Sequence, residues 1–236
     1  MVALVLSALL TVQPGSCAAS ARAALSDAAA RASRFDLASA AARAAEVPDC
    51  DLARVAEVYV RGLIDARLAA REGGTRESLA PVRRAIDVLE LLGRNRRGPA
   101  EIARLVLQAA AAAAQSERDE MRIYLEAAVQ METVQAAMGE AGAPVVSAAE
   151  MAGALWLQVD RYEEAKRAYL QADPAAGTPS VLLGLARAEA GLGRADDACS
   201  RYRALVTHWG NAPDREEIAE GRAYLGRLEC DGAVSR

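Results

Sequence analysis

The chain has little of what most catalytic and nucleic-acid sites are built from. It has one histidine, His208, one lysine, Lys166, one phenylalanine, Phe35, and two tryptophans, and aromatic residues make up only 4% of it. With a single histidine, a zinc site needing two or more cannot be built, which leaves only cysteine-rich or carboxylate metal sites. The four cysteines form no Cys-x-x-Cys, so neither a zinc ribbon nor a thioredoxin motif is supported. Scarce aromatics argue against a stacking platform for single-stranded nucleic acid. A net charge of -4 argues against a nucleic-acid partner altogether. No apolar run approaches the roughly 20 residues of a membrane helix, and Leu105–Ala114 is too short, with Arg104 before it and Glu117 after it. No Walker sequence, Gly-x-Ser-x-Gly or dinucleotide fingerprint occurs.

What the chain has in excess is alanine, about a quarter of its 236 residues. An alanine-rich, aromatic-poor sequence suits close-packed helices and suits sheets badly. Charged residues are 25%, an ordinary globular share. All basic residues except Lys166 are arginine, which reads as genomic composition.

The first 21 residues carry no charge. Val2–Val12 is apolar, Gln13-Pro14-Gly15 breaks the run, and Ser16-Cys17-Ala18 is a small-x-small site. The segment resembles a secretory signal ending near residue 18, although no basic residue precedes its apolar core. The alternative is a buried first helix in a cytoplasmic protein. Pro14, three residues before Cys17, argues against lipid attachment there. Cleavage after residue 18 leaves Cys50, Cys199 and Cys230, and the plain reading of these is small buried side chains.

Turn signals divide the remainder into short helical segments and no hairpin pattern appears, so the expectation is all-α. Helices are expected over about 20–31, 37–46, 51–71 (capped by Asp51), 75–93 (capped by Thr75, with Pro81 inside and able to kink it) and 99–114 (opened by Pro99). Others follow over about 117–138 (capped from Ser116), 145–159, 161–172, 180–192, 194–208 and 214–229. Connectors of a few residues make neighbours antiparallel. Ala109–Ala114 reads as a strong helix former with no specific partner, the alternative being a surface for very close helix approach. In Met121–Met138 the residues Ile123, Leu125, Ala128, Met131 and Val134 suggest one apolar face.

The strongest signal is internal repetition. Gly153, Trp156, Arg161, Tyr162, Ala165 and Tyr169 are followed 33 residues on by Ala186, Glu189, Arg194, Ala195, Ala198 and Tyr202. Small residues let two antiparallel helices approach, and large ones beside the crossing fill the volume left over. One such pair cannot cover its own apolar face, so units must stack. The pattern, with Asp160-Arg161-Tyr162-Glu163-Glu164-Ala165 at the turn, resembles the tetratricopeptide repeat family over residues 146–208. A weaker echo at Ser33-Arg34-Phe35-Asp36 lies out of register with it. The resemblance implies a right-handed solenoid of about five helix pairs plus a C-terminal capping helix. Residues 19–140 would form irregular hairpins, and 145–230 the repeats and cap. Repeat packing falls to Gly153, Trp156, Tyr162, Ala165, Tyr169, Ala186, Ala198 and Tyr202.

In that family the first helix of each unit lines a concave groove. The outward candidates here are Glu150, Gln158, Ser180 and Arg187. The family's carboxylate clamp uses Lys and Asn on these helices, and this sequence has neither there. His208 stands alone near a helix end, where a cation suits the dipole, and acidic pairs such as Glu163-Glu164 and Asp196-Asp197 suit helix starts. The expected protein is therefore a scaffold with no enzymatic activity, cofactor or metal, binding a protein or peptide in the bacterial envelope, periplasmic or secreted. The alternatives are a structural or assembly subunit of an envelope complex, and an enzyme with a pocket converging on His208. Antiparallel packing of the last two helices would bring Cys199 and Cys230 within disulfide reach.

Overall fold

The computed structural model describes residues 24, 26–29, 31, 37–46, 50–94, 98–139, 145–173, 175–210, 215–227 and 230. Residues 1–18, where a secretory leader is expected, lie outside them. The described residues are helical and contain no strand. After a helical stretch at 26–29 come α1 Leu37–Ala45, α2 Asp51–Arg71, α3 Ala80–Gly93, α4 Pro99–Ala114 and α5 Arg118–Ala137. They are followed by α6 Ala148–Gln158, α7 Tyr162–Ala172, α8 Pro179–Gly191, α9 Ala195–Trp209 and α10 Glu216–Arg227. Each packs on the next. In addition α2, α4, α6 and α8 pack on one another as alternates, forming an inner row.

Several helix starts differ from expectation. The cap of α2 is Cys50, not Asp51: its sulfur accepts the Ala53 N–H at 3.4 Å, and Asp51 is the first helical residue. Thr75 does cap, accepting the Ser78 N–H at 3.1 Å, but it caps a turn over 76–79. The helix begins only at Ala80, which puts Pro81 in the first turn where its missing N–H costs nothing, so no kink arises. Ser116 is not a cap; it closes α4 with a positive φ of 64°. Ser147 caps α6 by accepting the Glu150 N–H at 3.1 Å, and the Glu132 carboxylate of α5 accepts the Ala148 N–H at 2.8 Å. Both satisfy donors that a helix start leaves open.

The alanine run is not partnerless. Ala109, Ala110, Ala112 and Ala113 are buried at 5% exposure or less, because α4 is the central helix against α2, α3, α5 and α6. On α5, by contrast, Leu125 and Ala128 are buried but Ile123 and Val134 are about half exposed, so its apolar face is only partly covered. The two halves of the chain are joined by Tyr59, fully buried on α2, whose hydroxyl donates to the Val146 carbonyl at 3.1 Å.

The C-terminal end is closed covalently. Cys199, in the first turns of α9, is bonded to Cys230 just beyond α10, with Cα atoms 5.8 Å apart. Cys50 is disulfide-bonded as well, so the reading of these cysteines as plain buried side chains does not hold. No helix among the described residues is long and apolar enough to cross a membrane.

Candidate binding groove

The inner row lines a groove of about 550 Å³. It is lined by Arg67 and Arg71 of α2, Glu150 and Gln158 of α6, Ser180 and Arg187 of α8, and Glu216 and Glu217 at the start of α10. All four sequence-derived groove candidates, Glu150, Gln158, Ser180 and Arg187, therefore face one space.

The floor is built around Tyr169. Its ring reaches in from α7 between α6 and α8 through a gap left by two glycines. A Cβ at Gly153 would stand 2.7–2.8 Å from the ring, and one at Gly184 would overlap it. The phenol is 5% exposed and lines the groove, and its hydroxyl has no hydrogen-bond partner in the protein. Burial raises its pKa above that of an ordinary tyrosine, with the Glu150 charge adding to the rise. Gly153 thus accommodates the ring of Tyr169. Ala165, Ala186 and Ala198 are completely buried, and Tyr202 is 2% exposed. Trp156 and Tyr162 are only partly buried. Tyr162 packs where a Cβ on Gly191 would be, and its hydroxyl donates to Asp160 at 2.8 Å.

The groove charges fall into two groups. Arg187 is paired: its guanidinium holds the Glu220 carboxylate of α10 at 2.5 and 2.9 Å, and the Tyr202 hydroxyl donates to the same carboxylate at 2.7 Å. Burial works to raise the Glu220 pKa, but the Arg187 and Tyr202 contacts outweigh it and hold the carboxyl below the usual range. Arg67 and Glu150 are unpaired. Arg67 is crowded by protein atoms yet keeps a water-exposed surface, as a side chain inside an open groove does; desolvation lowers its pKa, while Tyr169, Glu217 and Glu150 act on it only through space. Burial lifts the Glu150 carboxyl above its usual range; the Ser180 hydroxyl and Arg67 pull it back, while Asp173 and Glu132 push it further up. The Ser180 oxygen is buried beside it without a hydrogen bond of good geometry.

A second, shallower cleft of about 780 Å³ lies between α5, α6 and α7, with Leu125, Val129, Val134, Trp156 and Ala168 among its walls. His208 lines neither space; it is exposed at the end of α9, with its ring centroid 5.5 Å from that of Trp209. Among the described residues no group of three or more His, Cys, Asp or Glu is placed to hold a metal ion.

Sequence reasoning missed Arg67, Gly184 and the groove role of Tyr169. Arg67 sits in a helix without repeat register, so nothing marked its face. The repeat alignment matched Gly153 with Ala186 and so passed over Gly184, the residue nearest the ring. Comparisons with protein-family models, curated proteins and solved structures find no match to this chain.

Proposed function

We propose that the protein is a non-catalytic, tetratricopeptide-like scaffold that binds a protein or peptide segment along its inner helix row, in an oxidising compartment of the bacterial envelope. The observation that carries this reading is the groove itself. Successive inner helices place polar side chains around one open channel, and among the described residues its Arg67, Arg71 and Glu150 make no ion pair. Pockets that bind ligands are concave spaces of about 300–1,000 Å³ with a few convergent polar groups. The repeat resemblance supports a right-handed solenoid with α10 as its cap, and alternate packing of α2, α4, α6 and α8 fits that stacking. The Cys199–Cys230 disulfide supports the compartment, because such bonds persist where thiols are not kept reduced.

Affinity capture from the native envelope fraction, comparing the wild type with Arg67→Ala/Glu150→Gln, tests the reading. Partners captured by the wild type and lost by the double variant support it; identical sets from both sink it. N-terminal sequencing of the mature chain tests the compartment, and residues 1–18 found intact in a cytoplasmic pool would overturn it.

One observation favours the second reading, an assembly subunit without a mobile ligand. Ile123 is 56%, Val134 50% and Met138 61% exposed at or beside the α5–α7 cleft, on a helix whose outer face is uncovered. Contiguous exposed apolar surface marks interaction sites. Val134→Lys would then remove the protein from its complex while leaving groove binding intact.

A further inference from the structure

Arg67 and Glu150 are opposite charges that act on each other through space and make no ion pair. This sets them apart from the other crowded charges of the C-terminal helices. Arg187 is held by Glu220, and the buried Glu189 by Lys166 at 2.6 Å and Arg194 at 3.5 Å. The Glu150 carboxyl is partly buried and gains no ion partner, which costs stability. Arg67 is exposed, and both side chains line the same open groove. The Tyr169 and Ser180 hydroxyls at the same floor also lack partners.

The charge pattern extends beyond this pair. Arg71 stands one turn from Arg67 on α2, and among the described residues neither is ion-paired; Glu216 and Glu217 line the same groove from α10, with the Glu217 charge acting on Arg67 through space. The groove is thus basic along α2 and acidic along α6 and α10. An occupant of a single charge sign would satisfy one group of charges and be repelled by the other.

We infer that the groove takes an extended peptide segment bearing one acidic and one basic side chain a short way apart. The acidic side chain meets Arg67 and Arg71, the basic one meets Glu150, and the Tyr169 and Ser180 hydroxyls contact the main chain between them. This rests on the peptide-scaffold reading and adds the charge pattern of the ligand.

The test uses short acetylated, amidated Gly/Ala/Ser peptides carrying one Glu and one Arg at varied spacing and in both orders. Control sets carry two Glu or two Arg, and binding to the disulfide-intact protein is measured by calorimetry. At least one mixed peptide is expected to bind about tenfold or more tighter than either control set. Arg67→Ala should erase the advantage of Glu over Ala in that peptide while keeping the advantage of Arg. Glu150→Gln should do the reverse, and Arg67→Lys should retain part of the Glu preference. Circular dichroism melts confirm that the variants are folded. If the control sets bind as well as the mixed set, or both variants leave the preference unchanged, the charge pattern is wrong and the scaffold reading stands. If no peptide of any set binds, both fall.

Discussion

Glu150 and Tyr169 are where sequence, packing and proposed binding meet in single side chains. Burial holds the Glu150 carboxyl above the ordinary carboxylate range, so the folded state resists its ionisation and the unfolded state does not. At pH values below the unfolded pKa both states are protonated and nothing is lost. As the pH rises through the raised folded value a destabilising contribution develops, and it is complete above that value. Glu150→Gln should therefore raise the thermal midpoint of the ligand-free protein at neutral pH and leave it unchanged at acid pH, as a melt series across pH would read. A stabilising substitution that also weakens binding is the signature of a side chain kept for function. At Tyr169 the ring and the hydroxyl separate. Because the hydroxyl has no protein partner, Tyr169→Phe should alter stability by less than about 0.5 kcal/mol in a denaturant titration. Gly184→Ala places a Cβ within the ring of Tyr169 and should cost about 1–3 kcal/mol, as overpacking does.

Between helices, an ion cluster ties α7, α8 and α9 together. Glu189 of α8, with a side chain 3% exposed, meets Lys166 of α7 and Arg194 at the start of α9, and Arg194 reaches Glu163 of α7 at 2.6 Å. The chain's single lysine is thus spent on a buried acid. Removing one partner of a buried pair costs about 3–5 kcal/mol; since Arg194 remains, Lys166→Ala should cost about 2–3 kcal/mol in chemical denaturation. Lys166→Met/Glu189→Leu should recover most of that loss, because the uncompensated charge goes with its partner. The α9–α10 disulfide acts at the same scale. It spans 31 residues, for which chain-entropy arguments give about 3–4 kcal/mol. Because α10 packs mainly on α9, the loss should stay local. Cys199→Ser/Cys230→Ser should speed hydrogen exchange in α10 and the end of α9 and leave α2 and α4 protected; uniform acceleration would show that the cap is not a separate unit.

Across the whole molecule, two surfaces compete for the functional role; they share helices α6 and α7 but no lining residue. The groove belongs to α2, α6, α7, α8 and α10 and is polar, with unpaired charges. The cleft belongs to α5, α6 and α7 and mixes apolar residues such as Leu125, Val129 and Trp156 with charged ones such as Arg122 and Glu126, and Val134 on its rim is half exposed. Separate variants at Glu150 and Val134 can therefore assign binding and assembly independently. Much of the helical order was legible beforehand. Pro99 as a first helical residue and the breaks at 73–74 and at Gly139 follow from local chemistry that needs no tertiary context. The errors were equally physical. Asp51 is a good cap by residue type, but Cys50 holds the extended cap conformation and supplies the acceptor. The alanine run is featureless in sequence because its partners come from four different helices.

The sequence by itself determined that this chain is helical, that a pattern recurs in its last third, and that Trp156, Tyr162, Tyr169 and Tyr202 fall within that pattern. Periodicity, turn residues and small-residue spacing are local, and they fix local structure. It also placed Glu150, Gln158, Ser180 and Arg187 on outward helical positions. Only the tertiary structure decided what those positions face. Whether a charge is paired depends on the helix opposite, not on its neighbours in the chain. Arg187 finds Glu220 across 33 residues, whereas Arg67 and Glu150, 83 residues apart in the numbering, come together in one groove without touching. Folding fixed that difference between a satisfied charge and an open one, and no one-dimensional pattern records it.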